Sequence, residues 1–205
     1  MIKAAILGYG TVGSGVYEVL KKNKDVISSK LGEEIQVKYV LDLRKFEGDP
    51  VQEVLVHDIN VILDDPEVAI VCETMGGEYP AYDFTKSALE HGKSVCTSNK
   101  ELVEKHGPEL IKIAEKHQCS YLFEASVGGG IPIIRPLRTS LAQEEILSIT
   151  GILNGTTNYI LTKMETEGLA FDTVLARAQE KGYAEKNPDA DILGYDACRK
   201  ISILT

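Results

Sequence analysis

The sequence has 205 residues, enough for one large domain, or for one domain and part of a second. A 43% hydrophobic and 26% charged composition is that of an ordinary globular protein, and a net charge of −9 with no basic patch to offset it speaks against a nucleic-acid partner. No apolar run approaches the ~20 residues that cross a bilayer, so no membrane partner is expected.

Met1-Ile2-Lys3 leads straight into a strand with no secretory leader. The four cysteines, Cys72, Cys96, Cys119 and Cys198, lack metal-ligand spacing. Cys72 and Cys96 lie in apolar runs and read as buried thiols of a reducing compartment. The expected location is cytoplasmic.

Ala4 to Leu7 is a short continuous apolar run, the pattern of a strand buried on both faces. Gly8-Tyr9-Gly10-Thr11-Val12-Gly13 follows, and Ser14 to Lys22 continues with helical spacing through Val12, Val16, Val19 and Leu20. This is GxGxxG between a strand and a helix, the context in which the motif binds a dinucleotide. Gly8 permits the tight turn, Gly10 admits a pyrophosphate to the backbone, and Gly13 lets the helix pack on the strand. The helix N-terminus, with Thr11 and Val12, then faces the phosphates. Lys21, Lys22 and Lys24 suit a helix end, where cations favour the dipole.

Gln36 to Leu41 is a second strand ending at Asp42, an acidic residue placed to accept from the adenosine ribose hydroxyls of NAD. Arg44 and Lys45 follow at once and suit a 2′-phosphate instead, which leaves NAD and NADP both open. Residues 42–64 carry little regular pattern. Val68 to Cys72 is a buried parallel strand running into Glu73-Thr74-Met75-Gly76-Gly77, small flexible residues where ligands bind in such sheets. Tyr82 to His91 is a helix closed by Gly92. Ser94 to Cys96 is a short strand with Thr97-Ser98-Asn99-Lys100 at its carboxyl end. Lys100 is either a catalytic cation or a first-turn helix residue, and a lysine at a helix N-terminus is electrostatically unfavourable. Gly107 to His117 is amphipathic, and Ser120 to Phe123 is a strand. Strand–helix alternation to this point describes an α/β doubly wound parallel sheet of the Rossmann type.

The pattern changes near residue 125, where a domain boundary is expected between 1–125, dinucleotide-binding, and 126–205. Val127 to Ile133 is a glycine-rich turn into a helix. Glu145 to Leu153 reads as a strand, and Asn154-Gly155-Thr156-Thr157-Asn158 as a polar turn into another helix. In Gly182 to Lys200, Gly182 ends one helix and Asp189 or Asp191 caps the next. Asp196 and Lys200 stand one turn apart on a shared face. Spacing alone makes them an ordinary surface ion pair.

Five ordered motifs, ILGYGTVGSGV, TSNK, EASVGGGIPII, TGILNGTTNYI and GYAEKNPDADILGYDACRK, resemble those of homoserine dehydrogenases. The resemblance implies NAD(P)-dependent, reversible interconversion of L-homoserine and L-aspartate 4-semialdehyde in threonine and methionine biosynthesis. It implies an α+β substrate and dimerisation domain after the first, and a homodimer formed through it. Lys100 and Lys200 resemble the family's two active-site lysines, with Lys200 the expected acid/base and Asp196 holding that lysine or the substrate. Glu185 and Asp191 resemble substrate-binding carboxylates, with Thr156 and Tyr183 lining the same pocket. Met75, Gly76 and Ser98 fall on the cofactor turns. By position, the Glu124 side chain and the carbonyls of Val127, Gly129 and Ile131 would hold a monovalent cation such as sodium. Leu41 stands where family members commonly carry an arginine, and Cys198 is a variation read as packing. The family normally continues for roughly 100 further residues, in line with ordinary domain lengths. The second domain is therefore expected to be incomplete, and the competing reading is a dinucleotide-binding module without turnover.

Overall fold

The computed structural model describes residues 1–205 and divides them into two compact units, Met1–Pro132 and Ile133–Thr205. The first contains strands β1 (Ile2–Leu7), β2 (Ile35–Leu41), β3 (Leu55–Val56), β4 (Val68–Glu73), β5 (Ser94–Thr97) and β6 (Tyr121–Leu122). Its helices are α1 (Thr11–Lys22), α2 (Lys24–Leu31), α3 (Asn60–Leu63), α4 (Ala81–Glu90), α5 (Lys100–Lys116) and α6 (Ala125–Gly128). All strand pairs are parallel, in the order β3-β2-β1-β4-β5-β6. The direction of winding reverses between β1 and β4, so the crevice beyond their carboxyl ends is where such a sheet binds its ligand.

Ala4 to Leu7 are at most 1% exposed, as a strand covered on both faces requires. On one face Ile6, Val40, Val51 and Cys72 form a core against Val16, Tyr17 and Phe46. Along α1 the apolar stripe is only partly inward: Val12 and Val19 are about half exposed. The 42–64 stretch, expected to be irregular, holds a short 3-10 turn at Pro50–Glu53 as well as β3 and α3. The α2 helix has no buried residue, which is why no apolar period announced it.

Helix α5 begins at Lys100 rather than Gly107, because Asn99 caps it: its Oδ1 accepts the Leu102 N–H at 3.1 Å. Pro108 sits inside the helix, so Gly107, where the sequence reading starts the helix, lies in its interior.

The second unit contains α7 (Ile134–Thr139), α8 (Gly155–Glu167), α9 (Phe171–Glu180), α10 (Asp189–Ile192) and α11 (Tyr195–Leu204). Ile160, Val174, Ala178 and Ala184 form its core. The strand expected at Glu145–Leu153 does not form. Ile146, Leu147 and Ile152 stand 47%, 86% and 76% exposed, and a lone segment without a paired neighbour does not hold strand geometry. Gly182, at φ 74, follows the end of α9 as expected. The expected aspartate caps are absent. Pro188 and Gly194 occupy the cap positions of α10 and α11 and carry no side-chain acceptor, while Asp189 and Asp191 lie inside α10.

Candidate functional site

In the first unit the GxGxxG segment closes the carboxyl end of β1. Gly8 has φ 90, a conformation costly for any residue with a Cβ, and a Cβ there would lie 3.0 Å from Met75 Cγ. At Gly13 a Cβ would fall 1.9 Å from the Gly8 carbonyl oxygen and 2.8 Å from Thr74 Oγ1, so helix and strand meet only through a glycine. Gly10 has nothing within 4 Å of its missing Cβ, which leaves its backbone open to a ligand. The Thr74 hydroxyl lies 2.9 Å from both the Leu7 and the Gly8 carbonyl oxygens, fixing the turn from the neighbouring strand. Above it opens a cavity of about 450 Å³ lined by Gly8, Gly10, Asp42, Arg44, His57 and Met75, among others. That volume lies in the range of small-ligand and cofactor pockets.

Asp42 stands at the end of β2, where the sequence places the ribose acceptor, but its oxygens already have donors. Oδ2 accepts from the Tyr9 N–H and Arg44 Nη2, each at 2.8 Å, and Oδ1 accepts from the Arg44 N–H and Nε, each at 3.0 Å. The Arg44 guanidinium, helped by the two backbone N–H groups and opposed by partial burial, holds the Asp42 carboxyl well below the usual carboxylate range. Arg44 also stacks over the Phe46 ring at 5.0 Å and remains exposed at the cavity rim. His57 reaches the same corner, with Nδ1 2.6 Å from the Asp42 carbonyl oxygen; sequence reasoning gave no signal for it.

Of the other cofactor residues expected from sequence, Thr11 and Val12 lie exposed in the first turn of α1, and Gly76 follows Met75 with φ 78. Ser98 and Lys100 stand at the carboxyl end of β5, half-buried, with Lys100 opening α5. Glu124 precedes the short helix α6, and Gly128–Ile131 is a turn closed by a 3.0 Å bond from the Ile131 N–H to the Gly128 carbonyl, with Gly129 at φ 59. No three His, Cys, Asp or Glu side chains cluster for a metal, so a cation beside Glu124 would rest on one carboxylate and backbone carbonyls. Such hard oxygen donors suit an alkali or alkaline-earth ion.

The second unit gathers its polar residues around Asn154, which is only 7% exposed. Its Oδ1 caps α8 by accepting the Thr157 N–H at 2.8 Å. Its Nδ2 donates to Asp191 Oδ1 at 2.7 Å and to Asp196 Oδ2 at 2.9 Å. Lys200 Nζ lies 2.8 Å from the same Asp196 oxygen and donates to the Leu153 carbonyl at 2.9 Å. The Asp196 and Lys200 side chains are 3% and 18% exposed, so a buried carboxylate fastens a half-buried lysine, and this is not the surface ion pair that spacing alone implied. Thr156 Oγ1 donates to the Tyr183 carbonyl at 2.8 Å, and the Tyr159 and Tyr183 rings meet edge to face at 5.1 Å between centroids. Tyr183 and Glu185 are exposed, and the Gln179 side-chain amide holds the Glu185 carbonyl at 3.0 Å. The structure thus brings Asp191, Asp196 and Lys200 together and links Thr156 to Tyr183, while the Glu185 carboxylate stands in solvent. The Asn154 hub was legible only as one polar residue of a turn. Cys198 is exposed on α11, so the packing role expected for it is not observed.

Two family profiles match this chain: "Homoserine dehydrogenase, NAD binding domain" over residues 8–124 and "Homoserine dehydrogenase" over residues 132–205. A homoserine dehydrogenase of Synechocystis sp. is 48% identical over 99% of this chain and 47% of its own length. One from Bacillus subtilis is 42% identical over 99% of this chain and 48% of its own. The chain spans about half the length of these curated relatives. Among solved structures, a homoserine dehydrogenase from Thiobacillus denitrificans superimposes with a TM-score of 0.90 at 41% identity, over 99% of this chain and 48% of that one. A hyperthermophilic archaeal homoserine dehydrogenase in complex with NADPH gives 0.86 at 30% identity, over 99% and 68%.

Proposed function

The chain belongs to the homoserine dehydrogenase family, and from that premise we propose that it interconverts L-homoserine and L-aspartate 4-semialdehyde with NAD(P), a step of threonine and methionine biosynthesis. The observation that carries the reading is the Asn154–Asp196–Lys200 cluster around a buried carboxylate, because a surface helix has no need of a lysine fastened at both a carboxylate and a carbonyl.

The first unit holds the nucleotide. The Gly8–Gly13 cradle, with Gly10 open and the α1 N-terminus beneath, fits a pyrophosphate, and the cavity beside it takes the adenosine half, with Arg44 at its rim. Met75, Gly76, Ser98 and Lys100 serve the other half of the cofactor. Bound NAD(P)+ supplies the acceptor for the hydride that leaves carbon 4 of homoserine.

The second unit holds the substrate. Asp191 and Glu185 have the charge to bind its ammonium, and Thr156 and Tyr183 line the same pocket. Lys200 takes the hydroxyl proton as the carbonyl forms and returns it in the reverse direction. Asp196, itself oriented by Asn154, holds Lys200 through its Oδ2. Lys100 is the second lysine of the reaction. A monovalent cation held at Glu124, Val127, Gly129 and Ile131, a homodimer formed through the second unit, and a cytoplasmic location complete the proposal. No helix is long and apolar enough to cross a membrane.

The test is Lys200→Ala. Homoserine-dependent nucleotide reduction is expected to disappear while NADPH affinity stays within about twofold, since a residue acting only in the chemical step leaves cofactor binding intact. A variant that keeps most of its kcat removes Lys200 from this role.

A second reading, nucleotide binding without turnover, has one observation in its favour: residues 140–154 carry exposed apolar side chains and no regular structure. Nucleotide binding by the 205-residue chain without turnover is its signature.

A further inference from the structure

One buried charged group of the first unit has no part in the scheme above. Glu73, the last residue of β4, is 0% exposed, although its strand is otherwise built from Val, Ala, Ile and Cys. A carboxylate in such a place is unfavourable unless its oxygens are satisfied, and an apolar residue would serve packing better. Both oxygens are in use. Oε1 accepts the Met75 N–H at 2.8 Å, and Oε2 accepts the Thr97 hydroxyl across the β4–β5 pair, where the two residues lie in register.

The bonds continue into a closed ring. Thr97 Oγ1 accepts the Asn99 N–H at 2.9 Å, and Asn99 Nδ2 donates to the Gly77 carbonyl at 2.6 Å. Asn99 Oδ1 meanwhile caps α5, whose first residue is Lys100. The turn after β4 (residues 74–77) and the turn after β5 (residues 97–100) are thereby locked to each other, and Glu73 is the only member of the ring with two acceptor oxygens. An amide cannot replace it. With its oxygen toward Met75, its NH2 would point at Thr97 Oγ1 and leave the hydroxyl proton without an acceptor. With the amide reversed, two N–H donors would face each other.

These two turns lie on the far side of the winding reversal from Asp42. The Gly8–Gly13 cradle and Asp42 mark β1 and β2 as the adenosine side, so the other half of a dinucleotide extends over the ends of β4 and β5. We propose that Glu73 is a positioning residue for the nicotinamide half of the cofactor, fastening the Thr74–Gly77 turn to the Thr97–Lys100 turn without touching the ligand. It rests on the NAD(P) reading above.

The test compares NADH with ADP-ribose, which has the adenosine half and lacks nicotinamide, by titration calorimetry on the 205-residue chain. For Glu73→Gln, NADH binding is expected to weaken about tenfold, of the order expected for one hydrogen bond to a charged group, while ADP-ribose binding changes less than about twofold. Thr97→Val, which removes a neutral hydroxyl, should reproduce this pattern even where Glu73→Gln fails to fold, and Thr97→Ser should restore NADH binding. The double variant should bind NADH no more weakly than the weaker single one, because both break the same ring. Equal weakening of both ligands, or of neither, overturns the proposal while leaving the NAD(P) reading intact. If the unaltered chain binds neither ligand, the NAD(P) reading falls and the proposal with it.

Discussion

At the residue scale, the three glycines of the first turn have three separate reasons, and two of them can be measured apart. Gly13→Ala forces its Cβ against the Gly8 carbonyl and should lower the thermal stability of the first unit by about 1–3 kcal/mol, the usual cost of overpacking. Gly10→Ala meets nothing and should melt normally while binding NADH more weakly. The turn at Gly8 and the close packing at Gly13 were legible in the motif, because steric rules for GxGxxG are local. The partnership of Asp42 with Arg44 was not. Sequence offers an acidic ribose acceptor and a basic phosphate ligand as alternatives, whereas the structure folds one onto the other, so that Arg44 occupies the oxygens a ribose would use. Arg44, stacked on Phe46 at the cavity rim, suits a 2′-phosphate. Arg44→Ala is therefore expected to weaken NADPH about tenfold relative to NADH, by loss of a charge-assisted bond, in parallel fluorescence titrations. A ratio unchanged by the substitution would show that Arg44 does not contact the 2′-phosphate.

At the element scale, strands buried on both faces and helices with clean caps were readable, and the misreadings have distinct physical causes. The Gly107-Pro108 pair lies within α5, and the Asn99 cap upstream decides where the helix starts. The segment at 145–153 has strand-like alternation but no neighbour to pair with. Helix α8 depends on Asn154 both as its cap and as the donor to Asp191 and Asp196. Asn154→Ala should cost about 1–3 kcal/mol, from the lost cap and a buried carboxylate left short of a donor, read by chemical denaturation followed through far-UV dichroism. Denaturation unchanged by the substitution would mean that this hub does not support the unit.

The lower end of the sheet supplies a pH test. Asp65, just before β4, accepts from Lys38, from the Glu67 N–H at 2.9 Å and from the Tyr39 hydroxyl at 2.9 Å. The Lys38 bond, then the Glu67 N–H, hold its pKa down at about 2. Because the folded value lies below the unfolded one of ~3.9, the contribution is fully present above about pH 4 and is lost as pH falls through about 2. Asp65→Asn should flatten that part of the stability curve and leave its slope near neutrality unchanged, as urea midpoints between pH 2 and 7 would reveal.

At the scale of the whole molecule, the sequence marks a change of character near residue 125, and the structure separates into units after Pro132. The first has a sheet, a cavity and an open helix N-terminus within one contiguous stretch, which is why its motif and strands could be read along the chain. The second was legible mainly through family resemblance. Its candidate site residues come from three separate segments, around Asn154, Asp191 and Lys200, and only folding shows that Asn154 bonds Asp191 and the same Asp196 that pairs with Lys200. The chain spans about half of the curated relatives it matches, so nucleotide binding and turnover are separable questions. Both are answered by following nucleotide absorbance with L-homoserine, L-aspartate 4-semialdehyde and other hydroxy amino acids, on this chain and on a longer polypeptide containing it. Homoserine-dependent NAD(P) reduction, reversed by the semialdehyde, is the expected result; reduction with another hydroxy amino acid and none with L-homoserine would contradict it.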